Sequence, residues 1–323
     1  MIALSLTAAV TSAQSAAPGC AVVPADSLDL TEHESRLIAV NGACVEVVDF
    51  GGRGRLLMLM PGYGNNAHIF DDIAGTFVDR YHVVALTPRG FPPSSAPVSG
   101  YSVAQLADDV VAVVDSLGGR TVVLVGHSIS GAVITEFGRR HAARLAAAVY
   151  LDAAFDFASA IRRSRRPGKP VPVDSLTPTV RAWERRYDTW STRVSGAVDS
   201  EWRHWERLGA TEADRRRSLT APLVVEVRSR PHEPWRVVAP VLALCAVGSY
   251  DRAFGWLTPD STRWTAATNH FDEEAREKRA ECNGVRRGPN GISVELDSGH
   301  YVFFDQRDQV VREMRSFLGR AAP

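Results

Sequence analysis

A short run in the middle of the chain most constrains what this sequence can fold into. Residues 121–134 hold an apolar, β-branched stretch, then a serine with a glycine two positions before it, then a helix-compatible stretch. A strand that reverses sharply into a helix leaves no room for side chains around the turn. Gly126, Ser130 and Gly131 therefore suit the neighbours of a strained, exposed Ser128. The pattern predicts strand, turn and helix, with Ser128 as a nucleophile.

The same turn predicts where a developing negative charge would be held. The first N–H groups of the helix point towards the turn, and aligned peptide dipoles favour an anion there. We predict an oxyanion hole from the Ile129 amide and the Tyr63 amide, because Gly62 and Gly64 let the backbone around Tyr63 approach closely. Gly62, Tyr63 and His127 are also candidate substrate-binding residues, although the His127 side chain is expected to point away and pack locally.

A nucleophilic serine needs a general base and an acid that orients it. Of the nine histidines, His300 stands in the loop after the last predicted strand, which would bring it to the same sheet edge as Ser128. Two acids compete for the third role. Asp152 ends one predicted strand and Asp251 follows the next, so both loops lie at this edge. Asp152 has the simpler geometry and is favoured, with Asp251 as the alternative.

Short apolar strands alternate with helix-length segments over most of the chain. Asn41-Gly42 tolerates positive φ and predicts an antiparallel hairpin between residues 36–40 and 44–50. The later alternation indicates a parallel sheet covered on both faces. Its predicted strands are Leu56–Met60, Val83–Leu86, Val122–Val125, Ala147–Leu151, Val241–Val247 and Ile292–Leu296.

The clearest helix is Val103–Leu117, which Ser102 can cap and Gly118 can end. Its apolar residues form one stripe at helical spacing. The acidic residues of the helix are interpreted as a solvated face without a catalytic role: Asp108, Asp109 and Asp115.

The segment between the strands that end at Leu151 and begin at Val241 is far longer than a crossover requires. An inserted helical cap at residues 156–236 is the economical explanation, and it leaves residues 18–155 and 237–323 as the core. The cap segment holds five of the seven tryptophans. Trp183 and Tyr187 share one helical stripe, which either packs the cap against itself or forms a wall of the substrate pocket.

Composition excludes several classes of protein. The formal net charge of zero argues against a nucleic-acid binder. No segment after the N-terminus reaches the roughly 18 uninterrupted apolar residues of a membrane span. There is no phosphate-binding loop and no His/Cys ligand cluster, so no metal, nucleotide or flavin is predicted. The expected partner is a small-molecule substrate, and the oligomeric state is left open.

The N-terminus and the cysteines indicate the cellular compartment in which the protein is expected. Residues 1–17 resemble a secretory signal without the cationic leader, which predicts export, or a cytoplasmic location if the segment is not a signal. Four cysteines fit an exported protein with up to two disulfides. The local architecture suggests Cys245 with Cys282 and Cys20 with Cys44, and free buried thiols are the alternative.

The order of these motifs resembles that of the α/β-hydrolase superfamily. The matching motifs are the loop 61–64, Arg89-Gly90-Phe91, the helix at 103–117, residues 126–131, Tyr150-Leu151-Asp152 and Gly299-His300. The resemblance covers about residues 36–155 and 237–319. It implies an eight-stranded, mostly parallel sheet flanked by helices, with an antiparallel second strand and a helical cap after the sixth.

Three departures from the family pattern matter. Ser130 replaces the usual second glycine of the nucleophile turn, which is sterically tolerable. Thr87 and Pro92 replace the aspartate and glycine usual around Arg89-Gly90, which puts the role of that loop in doubt. The segment Pro240–Asp251 is two residues longer than the family segment that usually ends at the triad acid, which is why Asp152 competes with Asp251 for that role.

Asp152 resembles in placement the acid of some haloalkane dehalogenases. Those enzymes, like epoxide hydrolases, use an aspartate nucleophile, so Ser128 argues against both activities. The sequence predicts a serine hydrolase that cleaves a carboxylic ester or lactone through an acyl-enzyme. Amide, peptide or carbon–carbon bonds are the alternatives for the same machinery, and a non-catalytic ligand-binding protein is the third hypothesis.

Overall fold

A central sheet of eight strands organises the protein. The computed structural model describes Cys20 and residues 32–91, 93–97, 99–157, 226–227, 232–248 and 261–322. The strands are β1 Glu34–Val40, β2 Ala43–Gly51, β3 Arg55–Met60, β4 Tyr81–Thr87, β5 Val122–His127, β6 Leu145–Leu151, β7 Val241–Ala246 and β8 Gly291–Leu296. Their order is β1-β2-β4-β3-β5-β6-β7-β8. Strand β2 is antiparallel to β1 and β4, and the remaining neighbours are parallel, as predicted.

The local signals set the element ends. Asn41 and Gly42 have φ values of 43° and 76°, the two positive values that a tight hairpin needs. The described helices are α1 Asp71–Ala74, α2 Val103–Ser116, α3 Ser130–Arg140, α4 Ser261–Gly284, α5 Val302–Asp305 and α6 Arg307–Ala321. Helix α2 begins at its predicted cap, because the Ser102 hydroxyl accepts a hydrogen bond from the Gln105 amide at 3.0 Å. None of the helices in the described ranges is long and apolar enough to cross a bilayer.

Both faces of the sheet are covered, which explains why its central strands are apolar throughout. Side chains alternate along each strand, so Met58 and Leu124 join the core under α2 and α3. Leu57 and Val123 join the core on the opposite face, under α1 and α6. The loops that carry Ser128, Asp152 and His300 lie where the parallel strands β5, β6 and β8 end.

Two disulfides tie the sheet to its periphery. Cys20 pairs with Cys44 of β2, and Cys245 of β7 pairs with Cys282 of α4, which confirms the predicted pairing. No cysteine is free, so the alternative of buried thiols is wrong. The predicted cap and signal segment fall almost entirely outside the described residues.

The prediction of a solvated acidic face on α2 is wrong for one member. Asp109 is only 2% exposed. Arg89 donates to it from Nε at 2.5 Å and from a terminal nitrogen at 2.7 Å, and Asn41 donates to it at 2.8 Å. Asp108 is half-buried and Asp115 is exposed, so the neighbours of Asp109 fit the prediction better. Arg89, whose role was in doubt, thus anchors the loop after β4 to α2.

We expect Asp109→Ala to lower the free energy of unfolding by about 3–5 kcal/mol, because it leaves the Arg89 guanidinium buried without a counter-charge. The matched control is Asp115→Ala on the same helix, whose exposed pair with Arg144 should contribute less than about 1 kcal/mol. Denaturant titration measures both. Equal losses in the two variants would contradict this account of Arg89.

Candidate active site

Ser128 occupies the sharp turn between β5 and α3. Its φ of 51° lies in the left-handed region, which an L-residue adopts at a cost of about 1–2 kcal/mol. The Ser128 amide donates to the Leu151 carbonyl at 3.3 Å, and the Ser128 carbonyl accepts from the Gly131 amide at 2.9 Å. The backbone therefore holds the strained conformation from both sides. No hydrogen bond joins the Ser128 hydroxyl to another residue of the described ranges.

The space around this turn explains the small residues in the sequence. A Cβ at Gly131 would come within 2.1 Å of the Ala153 carbonyl oxygen, so the helix can start here only without a side chain. A Cβ at Gly62 would come within 3.2 Å of the Ser128 Cβ. Residues 61–64, here called the oxyanion loop, therefore pass in contact with the candidate nucleophile.

The two predicted oxyanion donors flank this turn. Ile129 is the residue before α3, and its amide donates to no acceptor in the described part of the chain. Tyr63 follows Gly62 in the oxyanion loop, and its half-buried ring packs edge-on against Phe91 at 5.5 Å between centroids. Ile129 thus directly follows Ser128, and Tyr63 directly follows the glycine that lies against it.

The base and one of the two predicted acids meet at the same sheet edge. His300 Nδ1 lies 2.6 Å from Asp152 Oδ2, and Asp152 Oδ1 accepts from the Ala246 amide at 3.0 Å. Asp152 also has a positive φ of 43°, and its amide donates to Leu244 O at 2.7 Å. A carboxylate only accepts, so Nδ1 carries a proton, and an imidazole that carries only this proton has Nε2 left as an acceptor. Such an imidazole can act as a general base.

His127 brings His300 to the nucleophile turn. Its Nε2 lies 3.1 Å from the His300 carbonyl oxygen, and the two rings pack with centroids 4.5 Å apart. Burial, reinforced by the nearby His300, lowers the pKa of His127 well below its usual value, so the ring is neutral. Residues 128 and 300 therefore share one edge of the sheet.

His127 is 1% exposed, which agrees with the expectation that its side chain packs locally. Its contact with substrate stays a prediction. Its ring also packs against Tyr301 and Phe303. The other predicted site residues, Asp251, Trp183 and Tyr187, lie outside the described residues.

Sequence reasoning missed the contacts that join the loops of the site. The Tyr301 hydroxyl donates to Asn65 Oδ1 at 3.2 Å, which links the loop of His300 to the residue after the oxyanion loop. The Ser130 hydroxyl donates to the Pro61 carbonyl at 2.5 Å. The sequence shows Tyr301 directly after His300 and Ser130 in place of the usual glycine, but neither residue type identifies its hydrogen-bond partner.

A buried ionisable cluster behind the oxyanion loop was also missed. His68 lies between Glu46, with Nε2 and Oε1 3.5 Å apart, and Asp71, with Nδ1 and Oδ2 3.7 Å apart. Burial alone would lower the pKa of His68, but the nearby carboxylates of Asp71 and Glu46 raise it well above its usual value. The cluster holds the short 3-10 helix Ala67–Phe70, which begins three residues after this loop ends.

Known proteins resemble this chain in sequence. A sequence model of the alpha/beta hydrolase family matches residues 56–313. Epoxide hydrolase A of Mycobacterium tuberculosis is 32% identical over 120 residues, which cover 36% of this chain and 37% of that protein. The 2-(acetamidomethylene)succinate hydrolase of Mesorhizobium japonicum is 31% identical over 78 residues, 24% of this chain and 28% of that protein. The chain thus spans about a third of the length of these relatives.

Solved structures extend the likeness over most of the chain. The crystal structure of E-2-(acetamidomethylene)succinate hydrolase is similar with a TM-score of 0.59, covering 89% of this chain and 100% of that one. A probable hydrolytic enzyme from Pseudomonas aeruginosa gives a TM-score of 0.63 over 90% of this chain. The identities are 17% and 19%, so these likenesses show a shared fold.

Proposed function

The chain belongs to the alpha/beta hydrolase family, and on that premise we propose that it is a serine hydrolase that cleaves a carboxylic ester or lactone. One observation carries the proposal. His300 and Asp152 form a 2.6 Å imidazole–carboxylate contact at the sheet edge where Ser128 sits on its strained turn. Nucleophile, base and orienting acid are the three groups that acyl transfer needs, and each comes from a different strand end.

Acylation begins with proton transfer from the Ser128 hydroxyl to His300 Nε2 while Oγ attacks the carbonyl carbon. The Asp152 carboxylate accepts a hydrogen bond from the Nδ1–H group of His300 throughout, and it stabilises the imidazolium that forms. The carbonyl oxygen becomes an oxyanion, which the Tyr63 and Ile129 amides would bind. Each such donor contributes roughly a hundred- to a thousandfold in rate. His300 then protonates the leaving alcohol oxygen.

Deacylation repeats these roles with water. His300 takes a proton from a water molecule, whose oxygen attacks the acyl carbon of the Ser128 ester. The second oxyanion collapses, Ser128 Oγ leaves with the proton from His300, and the carboxylic acid is released. A lactone follows the same two steps, except that its alcohol stays attached to the acyl group.

A serine nucleophile argues against epoxide opening, the activity in the name of one relative. A serine alkoxide that opened an epoxide would form an ether, and an ether has no carbonyl for water to attack. The enzyme would be blocked after one event. Ester and lactone carbonyls give an acyl-enzyme that the same oxyanion hole helps to hydrolyse.

A substrate panel with an active-site label tests the proposal. We expect p-nitrophenyl esters and small lactones to be turned over with much higher kcat/KM than aminoacyl p-nitroanilides. A fluorophosphonate should label Ser128, as located by peptide mass spectrometry. If the anilides are turned over faster than the esters and lactones, the protein is an amidase and the ester assignment is overturned. Turnover with the label on another residue would overturn the mechanism.

We also propose that the protein is exported. The two disulfides support this, because such bonds persist in oxidising compartments. Expression of the full chain in a Gram-negative host should give periplasmic protein lacking the N-terminal segment, as read by intact mass. Uncleaved protein confined to the cytoplasm would contradict the proposal.

A further inference from the structure

We propose that His127 and Ser130, which flank the nucleophile turn, are positioning residues that hold the two catalytic loops against Ser128. Ser130 fixes the oxyanion loop, and His127 fixes residues 297–301, here called the base loop. The inference deepens the proposed function and rests on it. Neither residue touches the reacting atoms in the proposed mechanism, so each acts through the loop that it binds.

Ser130 joins the first residue of α3 to the oxyanion loop. The side chain is 5% exposed, and its hydroxyl donates to the Pro61 carbonyl at 2.5 Å. That carbonyl belongs to the peptide unit that ends at the Gly62 nitrogen, so the bond sets the orientation of the backbone just before Tyr63. Helix α3 also begins next to Ile129. One hydroxyl therefore fixes the spacing between the two elements that supply the oxyanion donors.

His127 joins the end of β5 to the base loop. Its Nε2 lies 3.1 Å from the carbonyl oxygen of His300, and a carbonyl can only accept, so Nε2 carries the proton of the neutral ring. Nδ1 then bears the lone pair. It is buried with no hydrogen-bond partner, and a Cβ on Gly62 would approach it to 2.6 Å. The His127 ring thus packs between the oxyanion loop and His300.

The two contacts complement the one that Asp152 makes. Asp152 holds the ring of His300 through Nδ1, whereas His127 holds the backbone of the same residue. Misplacing a catalytic group by about 1 Å can cost about a hundredfold in rate. Loss of either contact should therefore lower kcat and leave KM nearly unchanged, since the ground-state complex does not use the alignment.

The Ser130→Ala variant tests the contact with the oxyanion loop. We expect kcat to fall about 10- to 100-fold, within the cost of a displaced catalytic group, with KM within about twofold. The inhibition constant of phenylboronic acid should rise by the same factor, because its adduct with Ser128 mimics the transition state. The matched control is Thr135→Val. Its hydroxyl donates to Gly131 O within α3 and touches neither loop, so kcat should stay within about twofold of wild type.

The His127→Phe variant tests the contact with the base loop. It keeps the ring packing but removes the N–H, so kcat should fall about 10- to 100-fold. His127→Gln places an amide donor near the Nε2 position, so it should recover at least half of the decrease in log kcat that His127→Phe causes. The control is Phe137→Leu, which changes a buried ring near the end of α3 that packs on His141, and its kcat should stay near that of wild type.

The outcomes separate this inference from the proposed function. If Ser130→Ala and His127→Phe lower kcat no more than their controls, or raise KM in proportion, the positioning role is overturned. The Ser128→Ala variant reports on the proposed function independently. An inactive Ser128→Ala alongside fully active positioning variants would sink this inference alone.

Discussion

We expect Ser128→Ala to lower kcat for a p-nitrophenyl ester by about a millionfold, to the level that oxyanion binding and substrate positioning alone support. The physical reason is that alanine offers no atom that can form the acyl-enzyme. Only direct attack by water on the substrate remains, and this route lacks the covalent intermediate that divides one difficult step into two easier ones. Fluorophosphonate labelling should vanish with turnover.

The fold should survive this change. The Ser128 hydroxyl makes no hydrogen bond within the described residues, and alanine adopts a φ of 51° at a cost similar to that of serine. Circular dichroism and the unfolding midpoint should match wild type. Ser116→Ala, at the exposed end of α2, is the control for a serine hydroxyl lost elsewhere. Turnover by Ser128→Ala above a few per cent of wild type would refute the nucleophile.

The second large effect is expected for Asp152→Asn, with a loss of about ten-thousandfold in kcat. Asparagine is nearly isosteric and keeps an oxygen for the Ala246 amide. Its NH₂ group would face His300 Nδ1 and donate to it. The imidazole proton then moves to Nε2, which can no longer accept the proton of Ser128. Steady-state kinetics on the same ester measures the effect.

Asp251→Asn is the matched comparison, because Asp251 is the other acid that the sequence offers. We expect it to retain kcat within a few-fold of wild type. The reverse result would assign the acid to Asp251 and leave Asp152 as a structural carboxylate. Large losses in both variants would indicate that the two carboxylates act as one unit.

The strand, turn and helix around Ser128 were predictable because their causes are local. β-branched residues favour the strand, and small residues are needed where the backbone reverses. The hairpin at Asn41-Gly42 and the Ser102 cap were predictable for the same reason, as each depends on one or two neighbouring residues.

Two residues show where local reasoning stops. Asp109 follows the polar spacing of α2, yet a loop from a different part of the chain covers it and brings Arg89 as its partner. His127 adjoins the nucleophile in sequence, yet its ring is buried under the loop that carries His300. Periodicity reports which side of a helix or strand a residue takes, but not what packs on that side.

The sequence by itself determined the doubly covered parallel sheet and the turn at Ser128, since strand spacing and turn chemistry are written in adjacent residues. It suggested the cysteine pairing, which the structure then showed. Only the tertiary structure decided that Asp152 meets His300 and that His127 and Ser130 bind the catalytic loops. Those contacts join residues 69 to 173 positions apart. They depend on strand order and on which loops converge at one edge of the sheet, and no short segment encodes that convergence.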